Sequence, residues 1–124
     1  MESLKRILLA DDNPELCSAL RLLLETRLDV DTITEARDME HVLAQAEDTQ
    51  PDCIVLDWEL PGHPMRERVQ VLRTLVPGIK VIVTSARPEA RDEALLQGAD
   101  AFAGKTDAPV QILYAMARCC VGEE

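Results

Sequence analysis

The sequence is short of aromatic residues, with one Trp, one Tyr and one Phe among 124 positions. Its core must therefore be aliphatic, and it offers no aromatic platform on which bases could stack. Positive charge is scarce as well: 13 Lys and Arg stand against 23 Asp and Glu, a formal net charge of −10. That balance argues against direct binding to nucleic acid or to an anionic membrane. It suits partners with basic patches and a divalent cation, and it also serves solubility. The four cysteines, Cys17, Cys53, Cys119 and Cys120, match no zinc or CxxC spacing. Cys17 and Cys53 lie among apolar residues, as small core fillers do, whereas the neighbours Cys119 and Cys120 are expected to be partly exposed. No apolar run is long enough for a secretion signal or a membrane span, so a reducing cytoplasm is the expected compartment. No linker, repeat or low-complexity tract interrupts the chain, and its length fits one domain, residues 1–124, that buries a core without disulfides.

What the chain does have is alternation. Short apolar runs at 6–10, 53–56 and 81–83 predict buried strands, the first two central. A β-branched stretch at 30–35 predicts a further strand, and 101–103 a short last one. Amphipathic segments lie between them. Asn13 and Pro14 start a helix with Leu16, Leu20, Leu23 and Leu24 at helical spacing. Asp38 caps a second, with Val42, Leu43 and Ala46 inward. The spacing of Val69, Leu72 and Leu75 predicts a third over 65–76, ended by the Pro77-Gly78 turn. Pro88 opens a fourth that Gly98 closes, and Pro109 opens a fifth carrying Val110, Leu113 and Ala117. Five βα units imply a (βα)5 α/β three-layer sandwich of the flavodoxin-like class. Its sheet is parallel, covered on both faces, in strand order 2-1-3-4-5.

In that topology the informative side chains converge. Asp11 and Asp12 follow the first strand, Asp57 the third, Ser85 ends the fourth and Lys105 lies just past the fifth. Ligands of such sheets bind at this carboxyl edge, where the winding reverses between strands one and three. Two like charges about 4 Å apart cost roughly 4 kcal/mol at an effective dielectric of about 20. Three carboxylates at one edge therefore call for a cation. Mg²⁺, which takes one or two carboxylates together with phosphate oxygens and waters, fits. Lys105 adds positive charge beside Asp57, and a Ser85 hydroxyl can donate to a phosphoryl oxygen. No Ser-His-Asp set is available, because His41 falls in a helix and His63 in a loop. A carboxylate can itself be a nucleophile that forms an acyl phosphate, and phosphoryl transfer needs mainly positioning and charge neutralisation. Asp57, central on the edge, is the best candidate. Singly, each of these residues reads as a capping, turn or surface residue; their joint placement carries the chemistry.

Over essentially its whole length the chain resembles the receiver domains of bacterial response regulators in two-component phosphorelays. The matching segments are Leu9-Ala10-Asp11-Asp12-Asn13-Pro14, Val55-Leu56-Asp57-Trp58-Glu59-Leu60-Pro61-Gly62, Val81-Ile82-Val83-Thr84-Ser85-Ala86 and Gly98-Ala99-Asp100-Ala101-Phe102-Ala103-Gly104-Lys105. The resemblance implies that a histidine kinase or phosphotransfer protein phosphorylates Asp57. It implies that Asp12, Asp57 and the Glu59 backbone carbonyl bind Mg²⁺ directly and Asp11 through water, and that Ser85 and Lys105 contact the phosphoryl group. Ser85 is preferred to Thr84 because the family has a hydroxyl residue before Ala and because strand alternation puts Ser85 on the side of Val81 and Val83. Phe102 matches an aromatic that changes rotamer on activation. The face formed by helix 4, strand 5 and helix 5 would then meet partners, with homodimerisation through it a possibility. The segment from Lys105 to Pro109 resembles receivers joined to helix-turn-helix output domains.

The chain departs from the family pattern in the loop after Asp57, where Met65 stands in place of a usual glycine after Pro64, and at Thr106, often Pro. These changes alter loop geometry without removing a chemical group. Glu59 and Arg87 are expected to pair across the mouth of the site and to restrict an attacking water. Three functions compete: a phosphorylation-driven switch that is not an enzyme in its own right, an aspartate-dependent phosphatase, and a phosphorylation-independent interaction module. The phosphatases usually carry a second Asp where Glu59 stands, and a cap domain.

Overall fold

The computed structural model describes residues 6–62 and 65–120. His63, Pro64 and both termini fall outside the described residues. Five parallel strands, β1 (Arg6–Ala10), β2 (Thr32–Ala36), β3 (Cys53–Asp57), β4 (Lys80–Ser85) and β5 (Ala101–Gly104), form one sheet in the order β2-β1-β3-β4-β5. The helices are α1 (Pro14–Arg27), α2 (Met39–Thr49), α3 (Arg68–Leu75), α4 (Ala90–Leu96) and α5 (Pro109–Cys120). This is the expected flavodoxin-like α/β architecture.

Alternation along the inner strands feeds two cores, one on each face. Leu8, Ile54, Leu56, Val81 and Val83 pack with Met39, Val42, Ala46, Val69, Leu72, Ala90 and Ala94 under α2, α3 and α4. Ile7, Leu9, Cys53, Val55 and Ile82 pack with Cys17, Leu20, Leu24, Ile112 and Met116 under α1 and α5. Because both faces are covered, β3 is buried at every position, which is why it reads as an unbroken apolar run. Cys17 and Cys53 are core fillers as expected, and burial pushes the Cys17 thiol up to about 11, which leaves it unreactive at neutral pH.

Local signals set the ends of the elements. Asn13 Oδ1 accepts from Glu15 N at 3.0 Å and Leu16 N at 3.3 Å to start α1. Asp38 Oδ1 accepts from His41 N at 2.8 Å to start α2, in each case satisfying amides that lack intrahelical partners. Gly98, at φ +103°, follows α4 in a left-handed conformation that favours glycine.

Three expected boundaries and one expected inward face shift. The second strand is Thr32–Ala36, because its length is set by pairing in register with Arg6–Ala10. The third helix opens with a 3-10 turn, Met65–Glu67, and the α-helix proper begins at Arg68, where Glu67 provides no side-chain cap. Before α4, Ala90 N bonds to Arg87 O and Arg91 N to Pro88 O, so Pro88 starts a turn and the helix starts at Ala90. In α5 the inward line is centred on Ile112 and Met116, with Leu113 and Ala115, while Val110 and Ala117 are half-buried on its flanks. That helix touches α1, β4 and β5 together, so its buried face is broad and the expected narrow stripe lies at its edge.

Candidate functional site

The reversal of winding between β1 and β3 leaves a crevice at the carboxyl edge of the sheet, and the expected cluster lies in it. Asp11 and Asp12 follow β1, Asp57 ends β3, Ser85 ends β4 and Lys105 follows β5. Carboxylate oxygens of Asp11, Asp12 and Asp57 all lie within 4.8 Å of one another. Asp11 and Asp57 are each only 3% exposed, whereas Asp12 faces solvent. Lys105 Nζ is 3.2 Å from Asp57 Oδ2 and 3.2 Å from Asp11 Oδ1. Its backbone N–H donates to Ser85 O at 2.9 Å and so ties the loop that carries it to the end of β4.

Backbone amides already occupy one oxygen of each buried carboxylate. Asp11 Oδ1 accepts from Asn13 N, and Asp57 Oδ1 from Glu59 N at 3.0 Å. Asp11 Oδ2 is buried and receives no aligned hydrogen bond, although Lys105 Nζ approaches it to 3.2 Å. Burial holds the Asp57 carboxyl above the usual carboxylate range, and the Asp11 charge adds to this against the Glu59 amide and Lys105. Burial alone would lower Lys105, but the Asp57 and Asp11 carboxylates outweigh it and raise the ammonium. Three carboxylates against one ammonium leave two negative charges in the cluster. That excess, the oxygen-only donor set and the orphaned Asp11 oxygen fit a hard divalent cation.

Ser85, at the end of β4, is buried. Its hydroxyl donates to Glu59 Oε2 at 2.7 Å and accepts from Arg87 N at 3.0 Å, and Arg87 Nε donates to the same Glu59 oxygen at 3.1 Å. The expected Glu59–Arg87 pair is thus formed, with Ser85 as a third member. Thr84 is fully buried, its Oγ1 has no partner among the described residues, and its backbone carbonyl accepts from Trp58 N at 2.8 Å. Phe102 is half-buried opposite Val83. It lines a cleft of about 310 Å³ with Ser85, Ala86, Pro88, Arg91 and Thr106.

Two features around Asp57 escape a reading of the sequence. Trp58 is fully buried, and its indole N–H donates to Glu93 Oε1 of α4 at 2.8 Å, which links the residue after Asp57 to that helix. Arg68, the first residue of α3, is 3% exposed and donates to the carbonyls of Trp58 and Leu60. An arginine in a first helical turn, where acidic residues are favoured, was the available signal.

Comparison with known proteins agrees with the geometry. The family described as the response regulator receiver domain matches residues 7–117. The nitrate/nitrite response regulator protein NarL of Escherichia coli K12 is 32% identical over 119 residues, covering 94% of this chain and 55% of that protein. The chain therefore spans about half the length of this curated relative. Among solved structures, the signal receiver domain of the NarL-like regulator from Mycobacterium tuberculosis is 26% identical with a TM-score of 0.83, covering 98% of this chain and 100% of that one. A CheY-like receiver domain protein from Methanospirillum hungatei is 27% identical with a TM-score of 0.80, covering 97% and 96%.

Proposed function

The chain belongs to the response regulator receiver domain family of two-component systems, and on that premise we propose that Asp57 accepts a phosphoryl group from a histidine kinase or phosphotransfer protein. The observation that carries this is the contact of Lys105 Nζ with Asp57 Oδ2 at 3.2 Å, within a group of three carboxylates at the sheet edge. An Asp57 oxygen attacks phosphorus in line. The P–N bond to the donor imidazole breaks, the bonding pair stays on that nitrogen, and an acyl phosphate forms. Lys105 faces the growing negative charge from one side. Ser85, once it leaves Glu59, donates its hydroxyl from the other.

Asp12, Asp57 and the Glu59 carbonyl would hold Mg²⁺ directly and Asp11 through water. The ion would neutralise the carboxylates and the transferring oxygens. The chain is then a phosphoacceptor with self-phosphorylation and autodephosphorylation chemistry, not an enzyme acting on a separate substrate. Phosphorylation shifts a two-state equilibrium read through Ser85, Phe102 and the α4-β5-α5 face. On that face Leu96 is 87% and Tyr114 47% exposed, which suits a partner, an output domain or a second copy. A cytoplasmic setting follows from kinase signalling of this kind, and among the described residues no helix is long and apolar enough to cross a membrane.

Incubation with acetyl phosphate and Mg²⁺, read by intact mass, tests the proposal. One Mg²⁺-dependent phosphoryl adduct is expected. Rapid acetyl phosphate turnover without an adduct would favour a phosphatase. No reaction would favour a phosphorylation-independent interaction module.

A further inference from the structure

Arg68 breaks two local rules. It buries a cation, which is costly unless the charge is fully partnered. It also does so at a helix N-terminus, whose dipole repels positive charge. What the guanidinium does is hold backbone: one arm donates to Trp58 O at 2.9 Å and the other to Leu60 O. The carbonyls of residues 57–61 have different partners. Asp57 O accepts from Leu60 N at 3.2 Å, and Pro61 O from Met39 N at 2.9 Å. Trp58 O and Leu60 O are taken by Arg68. Among the described residues no donor reaches Glu59 O. Glu59 is exposed while Trp58 and Leu60 on either side are buried, so its carbonyl is the one in the segment left available to a ligand.

We propose that Arg68 is a positioning residue for the cation site: its fork pins the carbonyls on either side of Glu59 and thereby presents the Glu59 carbonyl to a divalent ion beside Asp57. This deepens the Mg²⁺ reading above and rests on it. Groups that orient a metal ligand without touching the metal commonly alter affinity by about 10- to 100-fold. Geometry and charge act in opposite directions here. A cation near the acidic cluster repels a metal ion, so loss of charge alone would tighten binding. Loss of the fork releases the loop and weakens it. Arg68→Lys keeps the charge and gives up the planar two-armed grip; Arg68→Gln gives up both.

The test is Mn²⁺ binding to the whole chain, followed by loss of the free-ion EPR signal, with melting temperatures measured in EDTA alongside. Arg68→Lys is expected to weaken Mn²⁺ binding by about ten-fold, and Arg68→Gln by less, because its lost charge offsets part of the effect. A purely structural role would lower both melting temperatures and leave Mn²⁺ affinity unchanged. That result, tighter binding in Arg68→Gln with no change in Arg68→Lys, or failure of both variants to fold would overturn the proposal. Absence of Mn²⁺ binding by the wild type would instead remove the cation site itself, and this inference with it.

Discussion

The Ser85 hydroxyl donates to Glu59 Oε2 at 2.7 Å, and that oxygen also receives Arg87 Nε at 3.1 Å. One carboxylate oxygen therefore holds both the hydroxyl proposed to meet a phosphoryl group and the guanidinium at the rim. Ser85 cannot serve Glu59 and a phosphoryl oxygen with the same proton, so the two contacts compete.

If phosphorylation of Asp57 leaves Glu59 and Arg87 flanking the mouth, the pair would limit the approach of water to it. Arg87→Ala is expected to speed autodephosphorylation by up to about five-fold, the rate equivalent of the ~1 kcal/mol that a part-exposed pair is worth. Phosphate release from pre-phosphorylated protein measures this, and equal rates for variant and wild type would end the gating role. Glu59→Ala should retain Mg²⁺ binding, because the proposed ligand is a backbone carbonyl.

Without a cation, Asp57 is a liability to the fold. Its carboxyl is held above the usual range, chiefly by burial. The neutral form therefore contributes stability at low pH that is lost as pH rises through that raised value. Asp57→Asn is expected to raise the melting temperature by several degrees in EDTA at neutral pH, with the gap closing as the solution is acidified. Mg²⁺ should stabilise the wild type more than the variant, since only the wild type offers the full ligand set. Thermal melts across pH, with and without Mg²⁺, check both signs.

Trp58 is the sole tryptophan and connects the residue after Asp57 to Glu93 of α4. Trp58→Phe removes that hydrogen bond and leaves a gap in the core. A cost of about 1–3 kcal/mol is expected in urea unfolding. If the link carries the signal, the variant should still be phosphorylated while losing part of the response of α4, visible as smaller changes in hydrogen exchange over residues 90–96.

The topology and the acidic cluster were legible because each rests on a local signal repeated at a fixed place. Apolar runs mark β1, β3 and β4, and Asp11, Asp57, Ser85 and Lys105 each fall at the end of a strand. The Glu59–Arg87 pair was legible by the same logic, two residues beyond neighbouring strand ends. What the sequence concealed depends on tertiary neighbours. The inward line of α5 shifts to Ile112 and Met116 because that helix rests on α1, β4 and β5 together. β2 takes its length from β1, so Val30 drops out of it. Arg68 acquires a role only once the loop carbonyls that it holds are placed around it, and nothing in residues 58 and 93 announces that they touch.

Reductive trapping identifies the nucleophile, proposed here to be the Asp57 carboxylate. Borohydride converts an aspartyl phosphate to homoserine, so protein treated with acetyl phosphate and Mg²⁺, then reduced, digested and sequenced by mass spectrometry, reports the modified position. Homoserine is expected at position 57, dependent on Mg²⁺. A trapped adduct at Asp11, Asp12 or elsewhere, with position 57 unmodified, would contradict that assignment.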